Sequence, residues 1–108
     1  MNESLPYDRK KLWRDQNNLL ARLPKLKKLY QEKRYLERAL EKDPENAGLI
    51  ASLVDINGKF NIYLQDTNTR YQNIMQQHRL SCEINKKEYD DPFRKVNLDS
   101  WKVEPPME

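Results

Sequence analysis

The stretch DPENAGLIASLVDINGKFNIYLQDTNTRYQNIMQQHRL, residues Asp43–Leu80, decides the fold. Apolar side chains recur along it at Leu49, Leu53, Ile56, Phe60, Tyr63/Leu64, Tyr71 and Ile74/Met75, with Thr67 filling the remaining place. The steps are three and four residues, the period of one helix face. Asp43 is suited to cap the free N–H groups, Pro44 to the first helical position, and Glu45 to the positive end of the helix dipole. The spacing therefore predicts one helix over about 44–81, roughly 55 Å long at 1.5 Å per residue. A compact domain of 108 residues does not need a helix of that length, so an elongated or oligomeric all-α protein is expected.

Working outward from this helix, residues 1–6 read as a lead-in ending at Pro6. Asp8 is placed to cap a short N-terminal helix running to about Leu23, striped by Leu12, Leu19, Leu20 and Leu23. Pro24 either kinks the chain or occupies the first turn of a second helix, Lys25 to Lys42. That helix carries Leu26, Leu29, Leu36 and Leu40, with Tyr30 and Tyr35 beside the seam. The turn at Asp43–Asn46 is short, and short connections make antiparallel neighbours, so a helical hairpin is expected. Gly58, off the main stripe, marks either a bend or a close approach of another helix.

The expected division is a helical domain over 1–82, with a basic third at 7–42, and an extended polar tail over 83–108. In that tail Asp91-Pro92 and Pro105-Pro106 stop helices. Phe93 and Trp101 are its apolar anchors, either for a partner's groove or for the chain's own helices. In the second half of the long helix the stripe narrows and amides crowd its flanks. The seam Leu53, Ile56, Phe60, Tyr63, Leu64, Tyr71 and Ile74 is then read as an interface between copies of the chain, the other reading being a solvated helix over a small core.

Composition narrows the function classes. Hydrophobic residues are 37% and charged residues 34%, with a mean hydropathy of −1.08, so the core is thin. No run approaches the ~20 apolar residues of a membrane span. Met1-Asn2-Glu3-Ser4 lacks a basic-then-apolar signal pattern. The one cysteine, Cys82, has no intramolecular partner, which suits a reducing cytoplasm. His78 and Cys82 are four apart on one helix face, but Glu83 alone stands near as a further ligand, so no metal is expected. With two glycines ten residues apart there is no phosphate-binding loop, and no nucleophile motif is present, so neither an enzyme nor a cofactor is expected.

Charge is what remains. Residues 1–42 hold 12 Lys/Arg against 6 Asp/Glu, and residues 43–108 hold 8 against 11. The basic residues Arg9, Lys10, Lys11, Arg14, Arg22, Lys25, Lys27, Lys28, Arg34 and Arg38 are candidates for contacts to the backbone of duplex DNA. Such contacts need donors along a surface rather than a fixed motif. No base-reading unit is visible.

The segment Asp66–Ser81, DTNTRYQNIMQQHRLS, followed by Glu88–Phe93, EYDDPF, resembles the small subunit of tailed-phage terminases over roughly residues 45–95. The shared pattern is a long helix with a stretch like Asn68–Met75, a Leu-Ser pair at Leu80-Ser81, a charged segment, and an Asp-Asp-Pro-Phe tail at Asp90–Phe93. The resemblance implies a noncatalytic DNA-packaging component that assembles into a homo-oligomer or ring, binds viral DNA and engages the large terminase subunit in the host cytoplasm. On that reading the basic third faces DNA and the tail with Trp101 meets the large subunit. The other class open to the sequence is a small helical protein-binding module, an inhibitor or scaffold with no nucleic-acid role.

Overall fold

The computed structural model describes residues 9–106. The lead-in at 1–6, the Asp8 cap and Met107 lie outside the described residues. Within them the chain is all-α: α1 (Arg9–Leu20), α2 (Leu23–Lys42) and α3 (Ala47–Ile84), with no strand among the described residues. α1 and α2 form one bent arm rather than a separate N-terminal helix followed by a second. Ala21 N–H donates to the Asn17 carbonyl at 2.9 Å, Arg22 to Leu19 at 3.0 Å and Leu26 to Arg22 at 3.1 Å, so helical bonding passes through the joint. Pro24 lies in the first turn of α2, and its missing N–H bends the arm without ending it.

α3 runs unbroken for 38 residues, through Gly58, but its start corrects the expected cap. Asn46, not Asp43, is the N-cap: its side-chain oxygen accepts from Leu49 N–H at 3.1 Å. Asp43 instead closes α2, its N–H donating to the Ala39 carbonyl, while its carboxylate accepts from the Asn46 amide at 3.0 Å. Pro44 and Glu45 belong to the turn, and the helix begins three residues later than expected.

The arm packs antiparallel to α3. Lys11 reaches Gln77, Arg22 reaches Asp66 and Thr67, and Leu26 packs with Phe60, so residue numbers rise on one element as they fall on the other. Residues after Ile84 form no helix, yet the tail is not extended. It folds back along the groove between arm and α3 through short turns: Gln16 donates to the Pro92 carbonyl, Phe93 stacks on Tyr71 at 5.4 Å, and Trp101 enters the core. The core is Leu26, Phe60 and Trp101, with Leu23, Leu29, Tyr30, Tyr63 and Leu64 packed around it. Tyr30 and Phe60 each hold their rings 5.6 Å from that of Trp101. Between Lys27 and Asp55 no residue is fully buried, so the end of the molecule at the α2–α3 turn is the thinly packed one.

The result is a rod of 67 × 24 × 16 Å. Its radius of gyration, 19.1 Å, exceeds the roughly 13 Å of a compact chain of this length. No helix of the described residues is long and apolar enough to cross a membrane.

Candidate functional site

The ten basic residues singled out in the sequence divide into two groups. One group is committed to holding the fold. Arg22 bridges arm and α3, donating to Asp66 at 2.6 Å and to the Thr67 hydroxyl at 2.9 Å, with its guanidinium 4.1 Å over the Tyr63 ring. Lys25 lies over the same ring. Lys11 donates to Gln77. Arg34 and Arg38 converge on Glu104 of the folded tail at 2.9 and 3.2 Å, and Arg38 also donates to the Pro105 carbonyl.

Electrostatics follow this geometry. The Arg34 hydrogen bond, followed by that of the Tyr30 hydroxyl, holds the Glu104 carboxyl below the usual glutamate range. The same carboxylate pushes the Tyr30 hydroxyl and the Arg34 guanidinium up. Arg70, followed by Arg22, holds Asp66 below its ordinary value.

The second group faces outward. Arg9, Lys10, Arg14, Lys27 and Lys28 are exposed, and among the described residues none of them makes an ion pair. Leu19 and Leu26 turn toward α3, which places Lys10 and Arg14 on the opposite side of α1 and Lys27 and Lys28 on the outward side of α2. Trp13 lies among them and is 68% exposed; Tyr35, further along, is 53% exposed. The arm thus presents cations and the Trp13 ring along about 27 Å between Lys10 and Lys28, with Tyr35 beyond them.

Two other expected sets are placed differently. The seam assigned to an interface between copies is occupied by the chain itself. Ile56 and Phe60 are buried, Tyr63 and Leu64 pack on the core, Tyr71 meets Phe93, and Leu53 and Ile74 are half-buried. A helix with one narrow stripe can cover it with a neighbouring copy or with its own chain, and the folded tail supplies the missing cover here. For the same reason Phe93 and Trp101 are not anchors for a partner: both are interior, 3% and 8% exposed.

His78 and Cys82 do share a face. His78 Nε2 donates to the Asp90 carbonyl at 2.9 Å, and Cys82 Sγ lies 3.7 Å from the same nitrogen. Both are buried, and the His78–Asp90 bond fastens the start of the tail to α3. Among the described residues no group of three or more His, Cys, Asp or Glu is placed to hold a metal ion.

The sequence already shows the first half of α3 apolar on a second side at Ile50 and Val54, which suits a second neighbour; what sequence reasoning missed is the continuation of that side to Ile62. Ile50, Val54 and Ile62 point to solvent, the last two at 68% and 72% exposure. Ile62 escaped because it stands in the amide-rich half of α3, next to Tyr63 and Leu64 of the main stripe. Comparison with protein-family models, with curated proteins and with solved structures finds no match to the chain.

Proposed function

We propose that this protein is a noncatalytic DNA-binding adaptor of the terminase small-subunit type, which grips the DNA backbone along the outer face of its bent arm. The observation that carries the DNA contact is the outward row of Arg9, Lys10, Arg14, Lys27 and Lys28, free of ion pairs among the described residues. Cations with no intramolecular ion pair have none to break when they meet phosphates, and they release the counterions condensed on DNA. The narrower assignment to packaging, with a large terminase subunit as partner, is supported by the resemblance over roughly residues 45–95. This reading gives Phe93 and Trp101 no part in that contact, since both are interior.

The test is binding of a fluorescent duplex over a salt series. Five phosphate contacts give a slope of log affinity on log salt of about −4.5, or about 500-fold weakening over a fourfold rise in salt. Reversing Lys10, Arg14, Lys27 and Lys28 to Glu is expected to abolish binding while circular dichroism keeps its helical signal. Unchanged affinity in that variant, with helicity intact, would remove the DNA-facing assignment. The second reading, a protein-binding module with no nucleic-acid role, is favoured by one observation, the exposed apolar set on α3. Absence of duplex binding by the wild-type chain at low salt would select it.

A further inference from the structure

The back of α3 carries a surface the fold leaves unused. At 3.6 residues per turn, Ile56, Phe60 and Thr67 define the face turned toward arm and tail. On the far side run Val54, Gly58 and Ile62, continued by Gln65 and Thr69, with Ile50 at the edge of the strip, all exposed. From Ala47 to Gln76 this opposite strip, a third of the helix circumference wide, contains no charged residue. In a chain that is 34% charged, a solvent-facing strip of eight turns without charge calls for an explanation.

Gly58 sharpens the point. Glycine inside a helix is about 1 kcal/mol worse than alanine. A Cβ at Gly58 would meet nothing within 4 Å, so neither arm nor tail requires its smallness. The monomer therefore gives no reason for a glycine at the centre of the strip. A second helix crossing there would, since small residues let two backbones approach closely.

We propose that this face binds a second copy of the chain, α3 against α3, antiparallel about a two-fold axis through Gly58. The sequence around the axis is self-complementary. Val54 and Ile62 stand four residues on either side of Gly58, so the two-fold sets Val54 of each copy on Ile62 of the other. Two apolar contacts then flank a glycine–glycine crossing. The edge agrees in charge. Asp55 precedes Gly58 by three residues and Lys59 follows by one, which brings the second copy's Lys59 to within about 3 Å of the level of Asp55 along the helix axis. Within one chain Asp55 and Lys59 already pair at 3.0 Å, both more than 60% exposed, so the exchange across the edge uses groups present at the surface.

A contact one helix wide and about 30 Å long is near the roughly 1,000 Å² that marks the small end of specific interfaces. The dimer is therefore concentration-dependent rather than obligate. The inference does not rest on the DNA reading.

The test is sedimentation velocity over a concentration series. The wild-type chain is expected to shift from monomer to dimer with rising concentration. Gly58→Glu and Gly58→Lys, each alone, place like charges face to face at the crossing and are expected to raise the dimer Kd at least about a hundredfold. An equimolar mixture of the two variants is expected to dimerise again, which rules out misfolding as the cause of the loss; unchanged circular dichroism of each variant checks this separately. Three results would overturn the proposal: a wild-type monomer at every concentration, which would hand the face to a different protein; a dimer that survives Gly58→Glu; or a mixture that stays monomeric.

Discussion

At the scale of the residue, the side chain that organises the molecule is Trp101. It joins an arm, a helix and a tail that are far apart in sequence, through rings 5.6 Å away on both Tyr30 and Phe60. Trp101→Ala is expected to cost about 3–5 kcal/mol, the range for truncating a buried aromatic, measured by urea unfolding. With seven buried hydrophobic side chains among the described residues, that is a large part of the total. A loss under about 1 kcal/mol would show that the tail contributes little to the fold. Glu104 gives a second, pH-dependent expectation. Its carboxyl sits below the ordinary glutamate value in the folded chain because Arg34 and Tyr30 hydrogen-bond the charged form. The folded state then binds the proton less readily than the unfolded one, so the stabilisation is fully present above the unfolded-state value and disappears as pH falls through the lowered folded-state value. Glu104→Gln should therefore flatten the acid limb of the stability–pH curve while changing it least in acid, and an unaltered acid limb would count against the clasp. The sequence named Trp101, Arg34 and Arg38 as functional but could not pair them. Their contacts join residues 41 to 71 positions apart, and periodicity reports only which face a residue occupies within its own helix.

At the scale of the element, α3 was legible almost in full because a stripe at steps of three and four repeats many times over 38 residues. The misplaced start has a local cause. Asp43 and Asn46 are both good caps, three residues apart, and the choice fell to the turn, where Asp43 accepts the Asn46 amide and leaves Asn46 Oδ1 free for Leu49 N–H. Asn46→Ala is accordingly expected to destabilise by about 1 kcal/mol, whereas a cap at Asp43 would put that cost on Asp43→Ala. The tail was the least legible element, since short turns over 85–106 leave no period to read and their position depends on the groove that the helices create. Gly58 offers an element-level test with two signs. With open space around its missing Cβ, Gly58→Ala is expected to stabilise the dilute monomer by about 1 kcal/mol. The same methyl stands at the proposed crossing and should weaken the dimer. Thermal unfolding at low concentration and sedimentation at high concentration read the two effects apart.

At the scale of the whole molecule, the two proposed surfaces lie on opposite sides of the rod. The arm packs on one face of α3 and turns Lys10, Arg14, Lys27 and Lys28 away from it, while Val54, Gly58 and Ile62 look out from the other face. A two-fold through Gly58 then orders the layers as arm, α3, second α3, second arm, with each basic row outermost and the rows separated by three interhelix spacings of about 8–10 Å each. Like charges on the two copies are kept further apart than the Debye length of about 8 Å at physiological salt, so the basic rows do not oppose pairing. The two associations must also differ in kind. DNA binding rests on counterion release and falls steeply with salt, while the α3 contact is apolar at its centre and charged only at the Asp55–Lys59 edge. Raising salt from about 50 to about 200 mM is therefore expected to weaken duplex binding about 500-fold while moving the dimer Kd by no more than a few fold. Gly58→Glu should leave the affinity of one chain for a duplex long enough for a single arm unchanged. The fourfold Lys/Arg→Glu arm variant should sediment as the wild type does. Strong coupling in either direction, a dimer lost with the arm charges or single-arm affinity lost with Gly58→Glu, would mean that one surface serves both contacts and that this layer order is wrong.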